Sequence, residues 1–302
     1  LVPAMIKQKY DPAFASALSA ISGSLGTVIP PSITFIIYGM ITGESISNLF
    51  LSGIIPGCIF ALMLCVTVFI KATKNGWKSE EARATGKEIW KCFADAFWGL
   101  MSPVIVLGGI YSGIFTPTEA ASVAVIYSVF VGVVIYRELT VDMLRKALFE
   151  TSKTTGIILL IIMNAGVFSW VLTQQGIAAQ LTELALSLTT NKYIMLIVIN
   201  IIFLIAGCVM DNTSAMYILV PIIMPIAQAL GINMVHLGVI IVLNLSIGQV
   251  TPPVGPNLYV AADIGQVKFE EICAKMAPLI VMSLVALLIV TYVPFLSLAL
   301  IH

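Results

Sequence analysis

"SLGTVIPPS" occupies residues 24–32 and "SIGQVTPPV" residues 246–254. Both carry Ser-x-Gly-x-Val-x-Pro-Pro, and both lie inside apolar runs long enough to enter a membrane. A continuous helix excludes such a sequence. Proline has no amide N–H and its ring collides with the preceding turn, and glycine is a weak helix former. The two stretches pair at a constant offset of 222 residues: Ser24 with Ser246, Gly26 with Gly248, Val28 with Val250, Pro30 with Pro252 and Pro31 with Pro253. The same offset pairs Pro3 with Pro225, Gly43 with Gly265 and Pro56 with Pro278. Matches at Gly and Pro imply matching backbone geometry, because these residues set it.

The chain around these motifs has 302 residues, is 59% hydrophobic and is only 10% charged. Its mean hydropathy is +1.05. Soluble domains carry roughly 25% charged residues. The composition therefore implies an all-α polytopic membrane protein, with the lipid bilayer as its solvent. A formal net charge of zero gives no basis for nucleic-acid binding. Cys58, Cys65, Cys92, Cys208 and Cys273 show no metal spacing, and buried packing is expected for them. His236 and His302 are the two histidines, which argues against a histidine-based metal site. His236 sits near an expected helix start, where a satisfied or interfacial ring is expected. The opening "LVPAM" reads as the interior of a longer sequence.

Apolar segments fall at about 11–41, 50–70, 99–115, 118–136, 154–174, 193–209, 215–230, 233–262 and 278–300. Three charged stretches, 71–92, 137–153 and 266–275, read as helices on the cytoplasmic interface. Thr140 is a plausible N-cap for the second. Orienting the basic stretches inward places fourteen of the fifteen Lys and Arg on the cytoplasmic side, with Lys192 alone outside. In that threading 11–41 leaves the cytoplasm and 233–262 returns to it. The two matched units then run in opposite senses, the mark of an inverted repeat in a secondary transporter. Three regions are expected. Residues 1–70 hold the C-terminal part of a first repeat, with a broken helix over 11–41. Residues 71–98 form a cytoplasmic interfacial arm. Residues 99–302 form the second repeat, with a re-entrant hairpin at about 193–230 and a broken helix over 233–262.

Pro30-Pro31 and Pro252-Pro253 are expected to interrupt their helices mid-span. Irregular backbone survives at membrane depth only where it is buried in protein or lines a wet cavity. Freed carbonyls and helix ends there can meet a cation or an anionic substrate. Ser24, Thr27, Ser32, Ser246 and Thr251 add hydroxyl oxygens, hard ligands that suit sodium. A proline kink without a ligand is the alternative. "GCVMDNTSAM" (207–216) is a further polar island, with Asp211 between two apolar runs. An acid there is costly unless it has a task. It fits the tip of a re-entrant hairpin, or an ordinary exposed loop between two full spans. In "FTPTEAA", Thr116, Pro117 and Glu119 fit a helix start. Gly39/Gly43, Gly53/Gly57 and Gly109/Gly113 have spacings that permit close helix packing.

Enzyme chemistry finds no support. Asp211 has no acidic partner at membrane depth, and no Ser sits with a His or Lys base there. An ATPase-driven permease or a channel does not need twin broken helices. An ion-coupled symporter or antiporter of dicarboxylates, working without a binding protein, is a nearer alternative.

The stretches "YDPAFASALSAISGSLGTVIPPSI", "GIYSGIFTPTEAASVAVIY", "DNTSAMYILVPIIMPIA" and "GQVTPPVGPNLY" resemble the large membrane subunit of TRAP transporters (tripartite ATP-independent periplasmic carriers, the DctM family). The resemblance covers the whole chain. It implies a carrier of the bacterial inner membrane that imports organic acids, of the dicarboxylate or sugar-acid class, on a sodium gradient. A periplasmic substrate-binding protein delivers the substrate and a small membrane subunit braces the large one. Hairpins and broken helices move in an elevator-type mechanism against a fixed scaffold. Sodium is the coupling ion and no other cofactor is implied. Carried over by matching position, Ser24, Gly26, Ile29 and Ser32 belong to a first sodium and substrate region. Asp211, Asn212, Thr213, Gly248 and Thr251 belong to a second. The resemblance also implies further residues before the first, holding the tip of a first hairpin, without which the 302-residue chain is expected not to transport.

Overall fold

The computed structural model of the chain describes residues 1–77 and 84–301. Among the described residues it is helical and has no strand. In chain order the helices are α1 (Val2–Lys7), α2 (Pro12–Ser24), α3 (Ile33–Thr42), α4 (Ile46–Asn75), α5 (Gly86–Tyr111), α6 (Pro117–Phe130), α7 (Val141–Gln174), α8 (Ile177–Leu188), α9 (Lys192–Val209), α10 (Asn212–Ala229), α11 (Met234–Gly248), α12 (Pro256–Gly265), α13 (Phe269–Tyr292) and α14 (Phe295–Leu298). A 3-10 turn, Leu25–Thr27, follows α2, and a π-helical turn, Val131–Ile135, extends α6. Among the described residues, seven helices are long and apolar enough to cross a membrane: α4, α5, α6 with its π-helical turn, α7, α9, α10 and α13. The chain is thus a polytopic membrane protein.

Helix starts follow the local chemistry. The amide of Phe14 donates to Asp11 Oδ1 at 3.0 Å, and that of Tyr193 to Asn191 Oδ1 at 2.9 Å. Thr116 and Glu119 form a reciprocal capping box, as do Thr85 and Glu88. Thr140 Oγ1 accepts from the Met143 amide at 3.3 Å. Stops are equally local: Gly43 (φ 76°) and Gly76 (φ 68°) end α3 and α4 in the left-handed conformation that glycine adopts at least cost.

The chain forms two compact units, Leu1–Glu80 with Ala165–His302, and Glu81–Asn164. The first contains both Pro-Pro motifs and is organised around α11, which is buried at every residue from Val235 to Gly248. Helix α9 lies along α11, and α3, α4, α10 and α13 also pack on it. Gly238 admits the Tyr38 ring, whose hydroxyl donates to the Met234 carbonyl at 2.7 Å. In the second unit α5 pairs with α6, and Phe115 folds back over Gly109. The Tyr127 and Tyr136 hydroxyls donate to the Trp98 and Asp95 carbonyls at 2.7 and 2.8 Å. Large side chains such as Ile126, Phe130, Leu148 and Phe149 stand exposed on this unit. On a membrane-spanning helix such a surface meets lipid or protein, not water.

The structure differs from the sequence expectations in three places. The charged stretch 137–153 makes no separate interfacial helix. Its residues from Val141 onward are the first turns of α7. Likewise Gly86 opens a helix that runs unbroken to Tyr111, across the expected arm-to-span boundary at 98 and 99. Part of 266–275 opens α13 in the same way. A change of polarity marks where a helix leaves the membrane; only a breaker or cap marks where it ends. Lys78 and Arg83, within the expected 71–92 helix, lie outside the described residues. Helix α8, in a stretch with no expected span, packs against α10. Buried packing holds for Cys208 but not for Cys58, Cys65 and Cys92, which are exposed. An apolar run predicts burial only where water is the alternative.

Candidate functional site

Both Pro-Pro motifs fall where helix stops and restarts. In the first, α2 ends at Ser24, the 3-10 turn takes Leu25–Thr27, and α3 begins after Ser32. In the second, α11 ends at Gly248 and α12 begins at Pro256. Both Pro-Pro peptide bonds, 30–31 and 252–253, are cis.

The hydroxyls at the breaks share one habit: they donate their hydrogen to backbone already in place. Ser24 Oγ donates to the Ile21 carbonyl at 2.9 Å, Thr27 Oγ1 to Ser24 at 2.8 Å and Ser32 Oγ to Thr27 at 2.5 Å. Ser246 Oγ donates to Val242 and Thr251 Oγ1 to Ile247, each at 2.7 Å. A hydroxyl whose hydrogen is committed presents only lone pairs, which is what a hard cation seeks. Thr27 Oγ1 and Ser246 Oγ are also in hydrogen-bonding contact, so one of this pair donates to the other rather than to its carbonyl, and the two breaks meet through side chains 219 residues apart.

The first break rests on α4. A Cβ at Gly53 would come within 2.8 Å of the Val28 carbonyl oxygen, and one at Gly57 within 2.8 Å of the Ile29 side chain. These two glycines clear the seat for Val28 and Ile29. Ser24 and Ser32 are buried, whereas Gly26 and Ile29 are exposed.

The second break packs on one side against the junction between α9 and α10. A Cβ at Gly248 would lie 2.6 Å from main-chain atoms of Gly207, so the two helices touch backbone to backbone. The Gly255 amide donates to the Cys208 carbonyl at 3.2 Å. Asp211 is the N-cap of α10: Oδ2 accepts from the Ser214 amide at 3.0 Å and Oδ1 from its hydroxyl at 2.6 Å. Asn212 is buried, and its Oδ1 has no hydrogen-bond partner among the described residues. Thr213 is half-buried. Asp211, Asn212 and Thr213 follow directly on the strand of chain that meets Gly248 and Gly255.

Helix ends give this region its electrostatics. The C-termini of α9 and α11 carry partial negative charge, and the N-termini of α10 and α12 partial positive charge. A cation and an anion both find a favourable end here. Beside the breaks lies a cleft of about 340 Å³ between α1, α2 and α12, with Ser19, Gly23 and Asn257 in its lining and no Lys or Arg. A bound anion in it has oxygen and nitrogen dipoles to meet, but no cationic side chain. Among the described residues no His, Cys, Asp or Glu cluster suits a transition metal. The motif spacing pointed to the hydroxyls, and the Gly53/Gly57 spacing to close helix packing; neither revealed Gly207, whose role is to be small opposite a distant partner.

A family model described as "Tripartite ATP-independent periplasmic transporter, DctM component" matches residues 1–296. The chain is 40% identical over 293 residues to the isethionate TRAP transporter permease protein DctMQ of Oleidesulfovibrio alaskensis, covering 97% of this chain and 46% of that protein. It is 41% identical over 303 residues to the C4-dicarboxylate TRAP transporter large permease protein DctM of Pseudomonas aeruginosa, covering 99% of this chain and 70% of that one. It is 36% identical over 293 residues to the sialic acid TRAP transporter large permease protein SiaM of Vibrio cholerae, covering 97% and 68%. The chain thus spans about half the length of the first relative and about two thirds of the other two.

Proposed function

The chain belongs to the DctM component family of tripartite ATP-independent periplasmic transporters, and from that membership we propose that it imports small organic acids on an inward sodium gradient. It is a multi-pass protein of the inner membrane and a permease subunit, not an enzyme. In the proposed cycle a periplasmic binding protein hands the substrate to the large subunit, and a small membrane subunit braces it. The relatives are named for isethionate, C4-dicarboxylates and sialic acid, all of them organic anions. That common charge supports organic anions as the substrate class.

The observation that carries the proposal is the pairing of two hydroxyl-rich helix breaks that touch through Thr27 and Ser246. Sodium bound to such oxygens supplies the positive charge that the cleft lacks, so ion and anion favour each other's binding. Ser24, Gly26, Ile29 and Ser32 are assigned to the first sodium and substrate region. Asp211, Asn212, Thr213, Gly248 and Thr251 are assigned to the second, with Asn212 Oδ1 as a buried acceptor awaiting a partner. The constant 222-residue offset supports an inverted repeat, with α9 and α10 as its re-entrant hairpin and α2–α3 and α11–α12 as its broken helices. An elevator-type movement of these elements follows from the same reading.

The test is uptake of labelled organic acids by the assembled transporter in vesicles, with and without a sodium gradient and with and without the binding protein. Uptake that requires both, and falls in Thr251→Ala, supports the assignment. Sodium-dependent uptake without the binding protein points to a self-sufficient symporter. Uptake indifferent to sodium removes the ion from the mechanism.

A further inference from the structure

Five of the buried polar side chains of the first unit that lie outside the breaks are Asn200 on α9, His236 and Asn244 on α11, Thr291 on α13 and Ser297 on α14. They form one connected chain. His236 Nε2 lies 3.2 Å from the Thr291 carbonyl oxygen and Nδ1 lies 3.1 Å from Ser297 Oγ. A carbonyl only accepts, so Nε2 carries the hydrogen and Nδ1 accepts from the serine hydroxyl. Thr291 Oγ1 accepts from Asn200 Nδ2 at 3.2 Å, and Asn200 Oδ1 accepts from Asn244 Nδ2 at 2.7 Å. Asn244 Nδ2 also donates to the Ile240 carbonyl at 2.8 Å. The chain therefore links α14, α13 and α9 to α11, and it ends one helical turn before Gly248.

Two of the contacts between α9 and α11 differ in kind. Gly207 on Gly248 lets the backbones touch, but a glycine face is smooth and fixes neither slide nor rotation. Hydrogen bonds are directional, and in a low-dielectric interior a broken one leaves an unsatisfied amide. The Asn200–Asn244 bond is therefore the element that selects one register. We infer that Asn200 and Asn244 are positioning residues: anchored through Thr291 and His236, they set α9 on α11 and so hold residues 208–212 against the second break. This rests on the transporter reading above, which makes that junction a sodium and substrate site.

The experiment uses the assembled transporter carrying Asn200→Leu, Asn244→Leu or both. Three quantities are measured: the sodium concentration for half-maximal uptake, the maximal rate, and hydrogen exchange of the amides over 248–255. Either single change is expected to raise the sodium half-saturation about tenfold with a much smaller loss of maximal rate. Exchange over the break accelerates, and the double variant falls short of the sum of the singles because both changes remove the shared Asn200–Asn244 bond. If a leucine variant does not accumulate folded, Asn244→Gln, which keeps the amide but displaces it by a methylene, carries the same test. Folded variants with unchanged half-saturation and unchanged exchange overturn the inference, as do fully additive effects. Should the parent's uptake not respond to sodium, the transporter reading fails on its own and exchange at the break still decides this one.

Discussion

The two Pro-Pro breaks have the same motif and different surroundings. Around the second, α11 is buried at every residue from Val235 to Gly248, and Gly248 lies on the Gly207 backbone. Around the first, Ser22, Gly23 and Gly26 are exposed, and a Cβ at Gly26 would meet nothing within 4 Å. The positions paired by the 222-residue offset diverge in the same sense. Where the second half has His236, Asn244 and Thr291, the first has Phe14, Ser22 and Phe69. Phe14 and Tyr10 pack on Trp77, with ring centroids 5.1 and 5.0 Å apart. The motif determines that a helix breaks; what packs around it determines how tightly the break is held.

The sharpest way to break this comparison is one substitution at both paired glycines. Gly248→Ala drives a methyl into main chain and is expected to cost about 1–3 kcal/mol, the range for overpacking a tight contact. Gly26→Ala is expected to stay within about 0.5 kcal/mol of the parent. Thermal unfolding of the 302-residue chain in detergent reads both. Equal losses at the two sites would mean that the breaks are held alike.

The first break does have one tight seat. Gly53→Ala sets a Cβ 2.8 Å from the Val28 carbonyl and 2.6 Å from the Phe35 ring. The ring can yield and the carbonyl cannot, so a loss of about 1–2 kcal/mol is expected in the same assay. A neutral result would place the first break's support elsewhere than on α4.

Asp211 separates cap from site. Asp211→Ala removes the N-cap of α10 and is expected to cost about 1 kcal/mol, whereas Asp211→Ser keeps a capping oxygen and most of that stability. Uptake lost in both variants assigns the carboxylate to transport; uptake retained by the serine variant leaves Asp211 as a cap alone. The smallest effect is expected in the second unit. Glu119→Ala opens the capping box of α6 for about 0.5–1 kcal/mol and leaves sodium dependence unchanged. A change in sodium dependence there would extend the functional region into the second unit.

Much of this was legible in the sequence because it is local. Proline and glycine announced both interruptions, and Thr116 and Thr140 announced helix starts within three residues of the amides they accept from. The rest depends on partners far along the chain. Nothing near Asn200 indicates Thr291 as its acceptor, 91 residues on, and nothing near Gly207 indicates Gly248. The exposed Cys58 and Cys65 were misread for a related reason: a span's apolar composition does not say which face meets protein. Where helices end at the interface was hidden too, since α7 passes from charged to apolar sequence without a breaker.

The Gly207–Gly248 contact has an evolutionary consequence. A side chain at Gly248 strikes the main chain of Gly207, and no replacement at Gly207 can take that main chain away. Compensation by a second substitution at that partner is closed to Gly248. Descendants of this chain can change Gly248 only by first moving two helices apart, so the crossing constrains the lineage as firmly as it constrains the fold.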